Sequence, residues 1–288
     1  MKKILLLLPV LFLSCQFLIA QETEKETKPR PVRAPFESPY LLDNQTTFIL
    51  PEKTLQMAIQ HKFGTMEEGI SDLYGIYSSA NIRIGFDYVP YKNVQVGYGL
   101  TRTNMTHDFN AKWTVFEQTR DNSRPLGLAL YGNMGIDGRE KENLGAQNAF
   151  PQRLSYFGQL IMSRKFGYRV SVQLGASFSH FNMTDTSRFD YDRVGIHFNG
   201  RVRVAPTGNI VFNYDQPLDF LRLSGTEEYE LNPNITIGYE IVTSTHAFHL
   251  YMGYTNHLLP QYAMVRETKE FELEQFNFGF TITRLWSF

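Results

Sequence analysis

The feature that most constrains the fold is an alternation of apolar and polar residues that recurs from Thr54 onward. In the segment 82–88, the even positions are apolar, whereas Arg83 and Asp87 stand on odd positions. Successive side chains of a β-strand point to opposite faces, so each such segment has one apolar and one polar face. Two faces of this kind are expected where a strand has lipid on one side and a wet interior on the other. The pattern therefore predicts membrane-spanning strands.

The number of alternating segments sets the predicted fold class. They lie at 54–60, 81–88, 94–101, 170–178, 194–204, 210–214, 235–241, 248–254 and 276–282, and less regularly at 110–120, 125–133 and 152–164. We predict about twelve strands, most of about 9–13 residues, the length of a tilted strand that crosses a bilayer. The predicted fold class is all-β, an antiparallel up-and-down transmembrane β-barrel of about 12 strands.

The lengths of the predicted connections form a second pattern. The joins after even-numbered segments are short and lie at 90–93, 121–124, 165–167, 205–208 and 243–246. The joins after odd-numbered segments are longer and lie at 65–78, 103–109, 134–151, 182–191, 216–228 and 257–272. Outer-membrane barrels alternate in this way, with long loops outside the cell and short turns in the periplasm. An even number of strands also predicts that both ends of the barrel are periplasmic.

Residues 1–20 have the composition of a secretory signal peptide. Lys2 and Lys3 precede an apolar run, and Ala20 stands at a plausible cleavage point. The stretch FLSC at 12–15 loosely resembles a lipobox, but the apolar run continues past Cys15, so whether Cys15 is lipidated stays open. We predict export to the outer membrane.

A region of different composition separates this leader from the predicted barrel at 54–288. Residues 21–53 are predicted to form a periplasmic N-terminal arm. The part 21–33 is rich in Glu, Lys, Thr and Pro and cannot bury a core. The part 36–50 is more apolar, and we expect it to pack at or inside the mouth of the barrel.

The last aromatic residues of the chain continue the apolar parity of the final segment. Trp286 and Phe288 fall on the same side as the even positions of 276–282. A terminal aromatic on this parity resembles the signal by which the outer-membrane assembly machinery recognises its substrates. We therefore expect outer-membrane lipid and this machinery as partners. The chain has 28 Lys and Arg against 29 Asp and Glu, which gives no footprint for nucleic acid.

Segments around the first two predicted strands carry a family resemblance. They read DNQTT at 43–47, QHKFG at 60–64, DLYG at 72–75 and SANIRIG at 79–85. Together they resemble an uncharacterised outer-membrane β-barrel family, a domain of unknown function common in Bacteroidota. The resemblance covers nearly all of the chain after the leader. It implies the barrel fold and the outer-membrane location, and it supplies no catalytic residue.

The polar parity holds the residues that we predict to face the lumen and to contact any solute. They are Lys62, Arg83, Asp87, Lys112, His197, Arg201, Arg203, Glu240 and His249. A barrel of about twelve strands leaves an interior between that of a packed eight-stranded barrel and that of a wide porin. Lys and Arg outnumber Asp and Glu in this set, so an open lumen would favour small anions. Cross-strand ion pairs that fill a narrow barrel are an equally weighted alternative.

No arrangement of residues predicts catalysis, a cofactor or a metal site. The stretch HFNGR at 197–201 is similar to the His-x-Ser-Asn-Gly segment of outer-membrane phospholipases, but it lacks the serine that nucleophilic catalysis needs. The seven His are scattered, with no spacing typical of metal ligands. We find no Ser/His or Asp/His pair on neighbouring strands that shares one parity. The chain is therefore predicted not to be an enzyme.

Three functions follow as hypotheses. The leading one is a narrow channel or ligand-binding pore for small solutes, with a preference for anions. The second is a non-conducting structural or accessory barrel whose loops or N-terminal arm hold a partner, and a lumen plugged by 36–50 would favour it. The third and weakest is an enzyme at the rim or on the lipid face, which a Ser/His pair on adjacent strands would favour. The pattern identifies neither the solute nor the oligomeric state.

Overall fold

A computed structural model describes residues 29–144, 149–183, 191–218, 231–267 and 271–288. Its contacts divide the chain into two compact units, Met1–Arg30 and Pro31–Phe288, and the second unit contains the barrel. The predicted signal peptide and residues 21–28 of the predicted arm lie outside the described residues.

Twelve strands form a closed, all-antiparallel barrel, which confirms the predicted fold class. A two-stranded hairpin, β1 (Tyr40–Leu41) and β2 (Asn44–Gln45), precedes it. The barrel strands are β3 (Thr54–Thr65), β4 (Asn81–Tyr91), β5 (Val94–Thr101), β6 (Thr106–Phe116), β7 (Gly127–Ile136), β8 (Leu154–Phe166), β9 (Val170–Phe181), β10 (Asp192–Arg203), β11 (Gly208–Pro217), β12 (Asn234–Val242), β13 (His246–Gly253) and β14 (Asn277–Ser287). Each strand pairs with its neighbours in the chain, and β14 pairs with β3 to close the cylinder.

The two faces of the wall differ as the alternation predicts. On β4, Ile84 and Phe86 are exposed on the outside, whereas Arg83 and Asp87 are buried on the inside. The register pairs residues of one face with residues of the same face on the next strand, as at Ile84 and Leu100. The apolar side chains therefore form a continuous outer surface, and the polar ones line the lumen.

The two ends of the barrel carry different connections. We call the end at which β3 begins and β14 ends the terminal rim, and the opposite end the loop rim. The terminal rim carries 92–93, 117–126, 167–169, 204–207 and 243–245. The loop rim carries 66–80, 102–105, 137–153, 182–191, 218–233 and 254–276.

The predicted alternation of long and short connections is wrong at the two ends of β6. The long join predicted at 103–109 is a short one at 102–105, and the short turn predicted at 121–124 spans 117–126. Strand β6 starts early because Thr106 and Asp108 already pair with β5. The turn 117–126 is long because it also bonds to the chain that enters the barrel, since Val32 N–H donates to the carbonyl of Gln118 at 2.9 Å.

The lumen is occupied by the segment that precedes the barrel. We call residues 31–50 the plug. The plug enters at the terminal rim, where Pro31 forms an isolated bridge with Thr119, and it turns back through the β1–β2 hairpin to reach β3. Its apolar residues Phe36, Leu41 and Leu42 are buried against the wall. The stretch 36–50, expected at or inside the mouth, thus lies inside the barrel.

A second element fills the lumen from the loop rim. We call residues 254–267 the inward loop, and it carries the short helix α1 (Pro260–Arg266). Residues 261–265 of α1 are buried, where they pack against an apolar sector of the wall that includes Phe157 and Ile161. Within the described ranges, no helix has the length and apolar character needed to span a membrane.

Candidate functional site in the barrel lumen

The residues that the sequence predicts to face the lumen are all buried on the inner side of the wall. They are Lys62, Arg83, Asp87, Lys112, His197, Arg201, Arg203, Glu240 and His249. Most of them contact the plug or another wall residue rather than open space.

The two aromatic residues predicted to act in assembly lie outside the lumen. Arg284 stacks over the Trp286 ring at 5.3 Å, and Phe288 is exposed at the terminal rim.

Lys62 joins the wall, the plug and the inward loop. Its ammonium nitrogen lies 2.5 Å from a carboxylate oxygen of Asp43 at the tip of the plug. The same nitrogen donates to the carbonyls of Thr255 at 2.9 Å and His257 at 3.2 Å in the inward loop. The three donors of the ammonium group thus satisfy acceptors from both the plug and the inward loop.

The middle of the plug is held by β4 and β6. The Tyr40 hydroxyl donates to Asp87 at 2.5 Å, and Lys112 donates to the Gln45 side chain at 3.0 Å. Burial and the neighbouring charge of Asp87 raise the pKa of Tyr40 well above its usual value. The phenol therefore stays protonated and remains a hydrogen-bond donor to the carboxylate.

Arg83 is neutralised within the wall. Its Nε and Nη2 atoms donate to the two carboxylate oxygens of Asp108 on β6, at 2.8 and 2.7 Å. Asn133 on β7 donates to the same carboxylate at 3.0 Å. A glycine between them makes room for this pair, because a Cβ added at Gly99 would lie 2.4 Å from both Arg83 and Asp108. Arg83 is thus part of the wall, although the sequence predicted a solute contact.

A second ionic group lies near the terminal rim. Glu37 of the plug lies 3.3 Å from Arg201 and forms a shorter ion pair with Arg203. Glu240 on β12 lies 3.9 Å from Arg201, accepts from Asn209 at 2.7 Å and pairs with His249 at 3.2 Å. Two guanidinium groups of the wall therefore share one plug carboxylate, which also lies 3.3 Å from Arg33 of the plug.

Asp215 on β11 is the most heavily bonded carboxylate of the lumen. It accepts from Asn44 of the plug at 2.6 Å, from Asn234 on β12 at 2.8 Å and from Asn213 at 2.8 Å. Its Oδ1 atom also lies 2.8 Å from Nδ1 of His197. Asp215 thus ties the tip of the plug to β10, β11 and β12.

The expectation that no Ser/His or Asp/His pair lies on neighbouring strands is wrong. The other ring nitrogen of His197, Nε2, lies 2.7 Å from the Ser177 hydroxyl on β9. A carboxylate only accepts, so Nδ1 of His197 donates to Asp215, while Nε2 and the Ser177 hydroxyl share the second hydrogen bond. The three side chains therefore have the connectivity of a Ser-His-Asp triad. All three side chains stand on the inward parity of neighbouring strands, but only the register shows that Ser177 lies diagonally across from His197.

The surroundings of these three side chains are closed to solvent. Ser177, His197 and Asp215 are all buried, and α1 residues line the small cavity beside His197 and Asp215. The residue Ser177 is paired with β8 and with β10, so its backbone is engaged in the sheet on both sides. The three side chains form a buried hydrogen-bonded network that reaches the plug through Asn44.

Most of the residues that hold the plug carry no signal in the sequence. Glu37, Tyr40 and Asp43 lie in the segment without alternation, where no pattern indicates which way a side chain points. Asp108 fell inside a predicted loop. Asp215 was within reach of the prediction, because it stands on the inward parity of its strand. Among the described residues, no group of three or more His, Cys, Asp or Glu is placed to hold a metal ion.

The hydrogen bond between Tyr40 and Asp87 gives a first testable prediction. We expect Tyr40→Phe to lower the free energy of unfolding by about 1.5–3 kcal/mol, the usual contribution of a hydrogen bond to a charged group. The raised pKa means that this contribution is complete below about pH 10, the ordinary tyrosine pKa, and is lost only as pH rises through the raised value. Urea unfolding in detergent from neutral to alkaline pH measures it, with exposed Tyr77→Phe as control. An equal loss in both variants would contradict the role of Tyr40.

The closed antiparallel cylinder, with its apolar outer surface and polar, filled interior, defines an outer-membrane β-barrel protein. A family model for a membrane-bound β-barrel domain, DUF5777, matches residues 36–286, so the chain belongs to that family. No curated protein matches it significantly.

The chain is similar to solved outer-membrane barrels at low sequence identity. An outer-membrane channel from Pseudomonas putida F1 is 11% identical, with a TM-score of 0.53 over 83% of this chain and 97% of that one. The NanC porin is 5% identical, with a TM-score of 0.48 over 81% of this chain and 99% of that one. At 11% identity, the match to the Pseudomonas putida channel speaks for the fold alone.

Proposed function

We propose that this protein is a gated outer-membrane passage for small anionic solutes, closed in the present conformation by its plug and inward loop. The single observation that carries the proposal is that the plug meets the wall through ionic and hydrogen-bonding groups. Three charged wall groups each bond to one plug residue. Lys62 pairs with Asp43, Asp87 accepts from Tyr40, and Asp215 accepts from Asn44. We propose that the terminal rim is periplasmic, because the connection lengths predict this orientation. An origin in Bacteroidota is likewise a prediction.

The polar character of these contacts favours a plug that can leave. A polar group that loses its partner is stabilised again only if water reaches it. Both the plug and the wall present such groups, so water that enters behind a departing plug can satisfy both surfaces. The apolar part of the plug contact is small and centres on Phe36, Leu41 and Leu42. A segment that fills a barrel permanently has no need for ion pairs, which contribute little net stability when buried.

The charges of the wall explain the expected preference for anions. On the barrel strands, the buried cations of the described residues are Lys62, Arg83, Lys112, Arg193, Arg201 and Arg203, and the buried carboxylates are Asp87, Asp108, Asp215 and Glu240. The plug supplies Glu37 and Asp43, which balance the two surplus cations. A lumen without the plug would therefore carry a positive surplus near Lys62, Arg201 and Arg203.

The filled lumen also favours the second candidate, a permanently closed barrel that holds a partner. Cavities of about 20 and 10 Å³ remain between the plug tip and the inward loop. Each has room for about one water molecule. A passage that opens and a barrel that never opens thus share this conformation, and they differ in whether the plug moves.

A reversible crosslink between plug and wall tests the proposed function. The hydroxyl oxygens of Thr47 in the plug and Ser163 on β8 lie 2.5 Å apart. Thr47→Cys with Ser163→Cys therefore places two sulfurs where a disulfide of about 2.0 Å can form. In planar bilayers we expect brief openings of the reduced double variant and none after oxidation. Each single-cysteine variant is the control and should open under both conditions. A reduced double variant and a wild type that never open would favour the permanently closed barrel.

A further inference from the structure

The inner face of β10 carries a row of buried donors near the terminal rim. Asn199, Arg201 and Arg203 stand on alternate positions, and all three are buried. None of the three guanidinium nitrogens of Arg201 makes a hydrogen bond to a described residue. Within the same ranges, the amide nitrogen of Asn199 and Nε of Arg203 also lack one. Buried side-chain donors are normally satisfied, so this row calls for an acceptor.

The carboxylates present are too few for these donors. Glu240 is already engaged by Asn209 and His249, and it lies 3.9 Å from Arg201. Among the described residues, Glu37 is the other carboxylate paired with this row, and it serves Arg201, Arg203 and also Arg33 of the plug. A guanidinium group is best satisfied by two parallel hydrogen bonds to one carboxylate. A single side chain cannot supply such a pair to two guanidinium groups.

Glu37 is held at the part of the plug nearest to the terminal rim. The neighbouring plug residues are bonded by β8 and β9, since Lys165 donates to the carbonyl of Ala34 at 3.2 Å and Ser171 donates to that of Pro35 at 2.5 Å. The Glu37 side chain is 14% exposed, so solvent reaches the carboxylate while the plug is in place. A dissolved anion can thus approach the position that Glu37 holds.

We propose that Arg201, Arg203 and Asn199 form a binding site for small organic carboxylates, in which Glu37 is an internal substitute for the ligand. This inference rests on the proposed function and adds its solute class and its trigger. A carboxylate solute competes with Glu37 for the two guanidinium groups. Binding of the solute releases the first part of the plug from the wall, and the solute then stands at the entrance of the passage that it opens.

Binding of radiolabelled succinate to the purified full chain in detergent tests the site directly. We expect Glu37→Gln to bind succinate at least about tenfold more tightly than wild type, since removal of a competitor raises the fraction of competent sites. Exposed Glu52→Gln at the same rim changes the net charge equally and should bind like wild type. Succinamide, which is neutral and of similar shape, should not compete. Arg201→Gln with Arg203→Gln should abolish binding.

A second pair of variants protects the test against misfolding. Arg201→Lys with Arg203→Lys keeps both charges but loses the planar fork, so we expect folded protein with weaker succinate binding than wild type. Equal binding by wild type and the lysine variant, competition by succinamide, or no binding to folded Glu37→Gln would each overturn the site. Inorganic phosphate that binds more tightly than succinate would overturn the carboxylate assignment. Binding without channel openings would instead count against the proposed function alone.

Discussion

Removal of the plug, residues 31–50, is expected to turn the closed barrel into a conducting pore. The plug reaches from the terminal rim to Lys62 and Asp215 near the loop rim, and its deletion exposes a polar wall that water can enter. The inward loop stays in the lumen, where α1 packs on Phe157 and Ile161. We therefore expect long-lived conductance steps in planar bilayers after the first deletion. Larger steps should follow when Pro260–Arg266 is removed as well. Heat-modifiable migration on gels is the control that each variant forms a barrel.

The same variants report on ion selectivity. The deletion removes Glu37 and Asp43 and leaves a surplus of wall cations. In a salt gradient, the reversal potential should therefore indicate selectivity for anions. The preference should weaken at high ionic strength, because the Debye length falls from about 10 Å at 0.1 M to about 3 Å at 1 M salt. Arg201→Gln with Arg203→Gln in the plug-deleted chain should reduce it, whereas Arg169→Gln on an exposed turn should not. Cation preference, or a barrel that stays silent after both deletions, would refute the passage.

The second large effect is expected at Asp215. Asp215→Asn replaces a charged acceptor by an amide whose NH₂ group faces other donors, including Asn44 of the plug and His197. We expect the free energy of unfolding to fall by about 3–5 kcal/mol, as when one partner of a buried charged network is removed. Urea titration of the folded, heat-modifiable form in detergent measures the change.

Ser177→Ala is the matched control for Asp215→Asn. It removes one neutral hydrogen bond at the far side of His197, so we expect a loss of about 0.5–1.5 kcal/mol. A structural network predicts this unequal effect of the two substitutions. It also predicts that a fluorophosphonate probe leaves Ser177 unlabelled in the closed barrel, because the hydroxyl is buried. Labelling of Ser177 that disappears with His197→Ala would instead support hydrolytic chemistry.

The alternation in the sequence was sufficient to predict the barrel and the direction of its side chains. Arg201 and Val202 could be assigned to opposite faces because a strand has a period of two, whatever its neighbours are. Strand ends were less secure. At β6, the polar stretch 103–109 resembles a loop, but pairing with β5 and the bond from Arg83 to Asp108 make part of it strand.

The contents of the lumen could not be predicted in the same way. Alternation shows that Lys62 points inward, but it does not show which group lies opposite. Its partner Asp43 stands in a segment whose conformation is set by the barrel around it. The contact between Ser177 and His197 depends likewise on the stagger of β9 against β10, which places Gly175 directly opposite His197. Such contacts depend on the three-dimensional register and leave no periodic trace in the sequence.

Residues 51–53 join the plug directly to β3, and this short link has a consequence for any opened state. A released plug remains part of the same molecule, so its return to the wall is a unimolecular step that does not depend on protein concentration. A short flexible link corresponds to a local concentration of roughly millimolar order. A dissolved carboxylate displaces Glu37 only if its concentration is comparable to this local concentration, or if it makes several contacts with the site at once. Such a passage would open to abundant nutrients and stay shut to traces of the same compounds.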